Sequence, residues 1–263
     1  MRPLSFESRF CSQHWMSLIA TVLWYFYIIF PLIGQEPDSD SAEALRGWPQ
    51  WRGPLATGEA PRADPPVEWS EVKNVRWKTE LPGQGHSTPI VWGDRVFVSA
   101  AVPFGRASEP RYSGRPGAHD NLPVTRRHRF VAIALERATG HILWNEPLRE
   151  ALPHEGGHYT ASLASASPVT DGEHLFVFFG SYGLYCLDLD GDLQWKIHLG
   201  EMHSKHGHGE GSSPVLYGDT LVVNWDHEGQ SFLVAFDKTT GEQRWKSDRE
   251  EVTSWATPSV VEY

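Results

Sequence analysis

Cysteine is nearly absent from this 263-residue chain, which holds only Cys11 and Cys186. A disulfide framework is therefore excluded. Cys186 lies in the alternating stretch GLYCLDL and reads as a buried strand thiol, with no neighbouring cation or histidine in the sequence to activate it. Basic charge is also scarce: 23 Lys+Arg stand against 33 Asp+Glu, a formal net charge of −10. That balance excludes the basic footprint a nucleic-acid binder needs. Beyond Gly34 no segment sustains a 3.6-residue apolar period, so an all-helical repeat is excluded as well. GxSxG, HExxH, a P-loop and the kinase signature set are all missing.

What the chain does have is 12 Trp, 24 Gly and 19 Pro, a composition of short strands and tight turns. It also has one long apolar run, WMSLIATVLWYFYIIFPLIG from Trp15 to Gly34, with Arg2 and Arg9 ahead of it and QEPDSDSAE behind. A basic start, an apolar core and a polar exit describe an export signal, and the length of the run also suits an uncleaved anchor. The expected protein is exported: periplasmic, secreted, or anchored to the inner membrane by a segment that contacts or spans it. No cysteine directly follows the run, which argues against lipid attachment at the usual position. The chain thus divides into a signal or anchor over 1–34, a polar linker with a lead-in strand over 35–76, and repeats over 77–263.

The repeats show in three motifs kept in register. ALERATGHILW, CLDLDGDLQW and FDKTTGEQRW place Gly140, Gly191 and Gly241 four residues before Trp144, Trp195 and Trp245, at a period of about 50 residues. HSTPIV, SASPVT, GSSPVL and WATPSV recur at Pro89, Pro168, Pro214 and Pro258, and WGDRVFVSA, DGEHLFVFFG and YGDTLVVNW follow the first three. Each unit holds four strand-like pieces; in the last complete one they begin at Pro214, Leu221, Phe232 and Gln243. Four antiparallel strands per repeat of this length describe a β-propeller blade. The fold expected is all-β, an incomplete propeller of about three full blades plus the start of a fourth, preceded by the apolar segment. Gly140, Gly191 and Gly241 serve the turns. Trp144, Trp195 and Trp245, with Trp77 in the equivalent place before the first blade, cover the seams between blades. DLDGDLQW does not match a calcium loop, because Leu199 stands where a bidentate Glu is required.

This pattern of Asp, Thr-Gly and Trp followed by Ser-Ser-Pro-Val and Gly-Asp-x-Val-x-Val resembles the PQQ-like β-propeller repeat. That repeat is shared by quinoprotein alcohol dehydrogenases and a propeller lipoprotein of the outer-membrane assembly machinery. GWPQWRGP, Gly47 to Pro54, resembles the start of secreted members in planctomycete-type bacteria. The resemblance implies a ring of seven or eight blades, so that further blades or another chain would complete it. It also implies two alternatives: a periplasmic oxidoreductase using PQQ with calcium, and an assembly-factor-like propeller. Against the first, the chain lacks the vicinal Cys-Cys pair common in those enzymes, and no motif certifies Asp226 as a base. The preferred expectation is a noncatalytic binding or scaffolding module, with no catalytic residue and no committed cofactor.

Function is then expected in the loops. Propeller topology gathers blade-joining loops and second-to-third-strand loops on one face, and most of the 13 histidines fall there. His158, His206, His208, Asp226 and His227, with Trp225 as an aromatic platform, are the candidate ligand contacts, for a protein or glycan partner. His206-x-His208 with Glu210 offers a metal-ligand set without an established zinc spacing. The Arg-rich insert between Ala100 and His128 reads as a solvated, mobile loop, with a patch for anionic glycans as the alternative.

Overall fold

The computed structural model describes residues 39–261. The apolar segment and its export reading lie outside them. After a short helix, Ser39–Ala44, the chain is built almost wholly of strands. Blade 1 comprises β1 (Ile90–Trp92), β2 (Arg95–Phe104), β4 (Arg127–Glu136) and β5 (Ile142–Ala151), in that order across an antiparallel sheet. Between β2 and β4 lies β3 (Asn121–Leu122), which pairs instead with β6 (Gly157–His158). Blade 2 is β7 (Val169–Thr170), β8 (His174–Phe178), β9 (Leu184–Asp188) and β10 (Leu193–Ile197). Blade 3 is β11 (Val215–Tyr217), β12 (Thr220–Trp225), β13 (Ser231–Asp237) and β14 (Gln243–Arg249). Three meandering four-stranded sheets are fewer than the about four to eight blades of a closed propeller. The expected first strand of a fourth blade is not formed: residues 252–261 run without strand pairing.

Strand periodicity explains how blades stack. Side chains alternate faces along a strand. In β8, Leu175 and Val177 join one apolar cluster with Phe97 and Phe130 of blade 1. Phe176 and Phe178 join another with Leu221, Val223 and Val234 of blade 3. Both faces of β8 and β9 are therefore core, which is why these inner strands are largely apolar, whereas the outer strand β10 alternates.

Two repeated devices fix the blades beside one another. At the outer edge, each tryptophan indole donates to a carbonyl in the turn of the next blade: Trp77 to Arg137 at 2.9 Å, Trp144 to Leu189 at 3.0 Å, and Trp195 to Lys238 at 3.0 Å. The ring lies flat on the turn glycine. A Cβ on Gly140, Gly191 or Gly241 would sit 2.5, 3.0 or 2.8 Å from that tryptophan, and all three glycines have positive φ. Glycine is thus required both for the backbone and for the approach. At the inner edge, the residue before each motif proline forms a ladder. The N–H of Thr88 donates to Ser167 Oγ (2.9 Å), that of Ser167 to Ser213 Oγ (2.9 Å), and that of Ser213 to Thr257 Oγ1 (3.1 Å). The fourth copy of the motif therefore holds its place in the ladder even without a strand. The lead-in is bound as well, since Trp48 and Val91 exchange backbone hydrogen bonds at 2.8 and 2.9 Å. Cys186 is a buried free thiol in β9, and burial pushes it up to about 12.

Candidate functional site

The Arg-rich insert is largely exposed but carries structure of its own. Its outer parts lengthen β2 and β4 beyond the expected strands, and its middle folds across the neighbouring loops. Arg111 and Val124 form an isolated bridge, and β3 pairs with the blade-joining segment at β6. Arg115 Nε reaches Glu155 Oε1 at 2.7 Å, and Asn121 Nδ2 donates to the His206 carbonyl at 2.8 Å. The next joining loop is tied in through His158 N–H, which donates to the His208 carbonyl at 3.1 Å. Loops that share no sequence proximity are thus interlocked into one face.

That face carries two histidine groups. In the first, His119 lies with its ring centre 5.1 Å from His206 and 4.8 Å from His208, and His206 and His208 are 5.5 Å apart. His158 sits 4.8 Å from His208. His158, His206 and His208 are thereby brought together as the sequence suggested, and His119 joins them from the insert. His206 is held at φ 58, and its Nδ1 is buried without a hydrogen-bond partner. Partial burial lowers the His208 pKa; its bond to the His119 carbonyl opposes this, and the adjoining imidazoles add to it.

The second group is His154, Glu155 and His203, with one ligand atom from each lying within 4.8 Å of the others. Glu155 accepts from Arg115, from His203 Nδ1 at 3.3 Å and from Ser204 N–H at 3.2 Å. Burial pushes this carboxyl up, but Arg115 and Ser204 outweigh it and hold the pKa below the usual carboxylate range. His154 is gripped at both nitrogens, by Tyr182 Oη at 3.1 Å and by the Met202 carbonyl at 2.7 Å. Glu210 Oε1 lies 4.0 Å from His154 Nε2. The Glu210 carboxylate accepts from the Ser181 N–H at 2.7 Å and the Ser181 hydroxyl at 2.6 Å. Burial pushes Glu210 up to about 7 despite those bonds. It lies so close over Gly180 that a Cβ there would meet it at 1.6 Å.

Several expectations are corrected. Glu210 turns to Ser181 and His154, so it does not form a ligand set with His206 and His208. Trp225 is 2% exposed and stacked on Phe232 at 5.7 Å, which makes it core rather than an aromatic platform. Asp226, with a side chain 2% exposed, faces Arg249 Nε at 3.2 Å. His227 accepts from His203 N–H at Nδ1 and bonds the Gln230 carbonyl through Nε2, so both of its nitrogens are engaged within the loop. β12 ends at Trp225, inside the core; Asp226 and His227 do follow it in the loop the sequence assigned them, but both are buried there. His119 and Glu155 carry no local motif; the pairing of β3 with β6, with the Arg115–Glu155 and Asn121–His206 contacts, brings the insert to the joining loops.

Among the described residues, Asp226 is paired with Arg249 and the sole thiol, Cys186, is buried in β9, so neither is presented to a PQQ–calcium group.

Comparison with known proteins follows the same lines. The family model described as outer membrane protein assembly factor BamB matches residues 100–257. No curated protein matches. Among solved structures, a europium-containing methanol dehydrogenase is 16% identical, with 62% of this chain and 25% of that chain covered and a TM-score of 0.40. The quinohemoprotein alcohol dehydrogenase from Comamonas testosteroni is 14% identical, covering 64% and 21% at a TM-score of 0.37. BamB from Moraxella catarrhalis is 15% identical, covering 69% and 54% at a TM-score of 0.35. The chain therefore spans 25% or less of those two dehydrogenases and 54% of that BamB chain. With the family model covering more than half of its residues, the chain belongs to the PQQ-like β-propeller family of the BamB type.

Proposed function

We propose that this chain is an exported, noncatalytic PQQ-like propeller that binds its ligand or partner on the interlocked loop face. One observation carries the reading. The polar side chains capable of binding are concentrated where the insert and the two joining loops meet, as in the contact of Arg115 with Glu155. Trp225 is packed into the core and Asp226 is paired with Arg249, so neither is offered to a ligand. A rigid sheet scaffold presenting functional loops is the general way such folds bind. Export rests on the apolar run and its flanks; a protein partner accords with the assembly-factor description of the family.

Reconstitution of the full chain with PQQ and calcium, followed by dye-linked oxidation of alcohols and sugars, tests the noncatalytic reading. The expected outcome is no turnover and no saturable change in PQQ absorbance. Turnover above the protein-free control would overturn it.

A further inference from the structure

The geometry points to a binding site for a divalent transition-metal ion, zinc foremost, formed by His154, Glu155 and His203. It deepens the reading of the loop face as a binding surface and rests on that reading.

Two imidazoles and a carboxylate are a donor set suited to zinc and its neighbours. Their ligand atoms already lie within 4.8 Å of one another. Ligands on a tetrahedral zinc at about 2.0–2.1 Å stand roughly 3.4 Å apart, so closure asks for a movement of about an ångström. His154 and Glu155 come from one joining loop and His203 from the next, so the site exists only when both loops are docked. The group is sheltered but not sealed: the His154, Glu155 and His203 side chains are 14%, 12% and 42% exposed. An ion could enter beside His203.

The supporting contacts match those of a metal centre, where a ligating histidine donates its other N–H to a fixed partner. His154 Nε2 bonds the Met202 carbonyl at 2.7 Å; an ion taken at Nε2 displaces that bond and leaves Nδ1–H to donate to Tyr182 Oη at 3.1 Å. Glu210 Oε1, 4.0 Å from His154 Nε2, is a further oxygen near the group. Ser204 N–H steadies Glu155 at 3.2 Å. Against the ion stands Arg115, whose Nε lies 2.7 Å from Glu155 Oε1 and which competes for the same carboxylate. The nearby trio His119, His206 and His208 has close ring centres but does not bring three ligand atoms within the same 4.8 Å, so it serves as the internal control.

The test is titration of the full chain with cobalt(II), read by its ligand-field absorption, and with zinc, read by calorimetry. One equivalent is expected, with zinc displacing cobalt. His203→Ala and Glu155→Gln, each shown to be folded by circular dichroism, should weaken binding by about tenfold to a hundredfold or more. Arg115→Gln should tighten it, and the His206→Ala/His208→Ala pair should leave it unchanged. Absence of binding, indifference to His203→Ala and Glu155→Gln, or loss in the His206/His208 variant instead would each overturn the site. The noncatalytic reading is tested separately: quinone turnover would defeat it without touching the metal titration, and failure to bind metal would leave it standing.

Discussion

At the scale of single residues, tryptophans have unequal weight. Trp195 lies over Gly241 and donates to Lys238, whereas Trp69, in the lead-in, is 76% exposed. Trp195→Ala should cost about 3–5 kcal/mol in denaturant unfolding, and Trp69→Ala under about 1 kcal/mol. Glycines divide in the same way. Gly191→Ala meets both a φ of +96 and the Trp144 ring, while Gly218→Ala at φ +55 meets nothing within 4 Å. The second should cost about 1–2 kcal/mol from backbone strain alone, and the first clearly more. Equal losses within either pair would show that seam docking does not hold the blades. The spacing of Gly and Trp was legible because it repeats; which copy bears load was not, since that depends on what covers it.

At the scale of elements, the insert between β2 and β4 is held by a few identifiable contacts. Arg111 bonds the Pro153 carbonyl, Arg115 pairs with Glu155, and Asn121 reaches His206. Glu155→Ala leaves Arg115 and Ser204 N–H without their acceptor, a cost of about 1–3 kcal/mol for a group of this burial. Trypsin should then cut between Arg106 and Arg127 sooner than in the wild type while the blade strands stay intact. An unchanged cleavage rate would remove Glu155 as the clamp. The four-strand order of each blade was readable from alternation and turn residues. The insert's fold was not: β3 is only two residues long, and its partner β6 belongs to the loop after blade 1. The same limit explains the candidate site. His158, His206 and His208 could be placed on one face by topology, but His119 needed the insert's path, and Glu155, in the same joining loop as His158, carried no signal of its own. Trp225 was misplaced because an apolar strand end and a loop mouth look alike in sequence.

At the scale of the molecule, blades 2 and 3 are also joined by Asp171 and Lys238, 3.0 Å apart. Burial pushes Asp171 up, yet the His174 N–H and the Lys238 ammonium hold its pKa below the ordinary value. Burial pushes Lys238 down, and Asp171 more than reverses it. The Asp171 contribution is therefore present above its unfolded pKa of about 3.9 and is lost as pH falls through the lower folded value. The Lys238 contribution is present below about 10.4 and fades as pH rises past its folded value. The melting temperature of the wild type should exceed that of Asp171→Asn near neutral pH, and the gap should narrow as pH drops below about 4. A gap that stays constant or widens in acid would exclude this pair as an inter-blade tie.

The central claim is that ligand engagement belongs to the loops and leaves the blades unchanged. Hydrogen–deuterium exchange of the full chain with and without zinc tests it most directly. Slower exchange confined to residues 153–158 and 202–206, with β7 to β14 unaltered, is the predicted result. Protection appearing in the blade strands, or no protection in either loop, would contradict it.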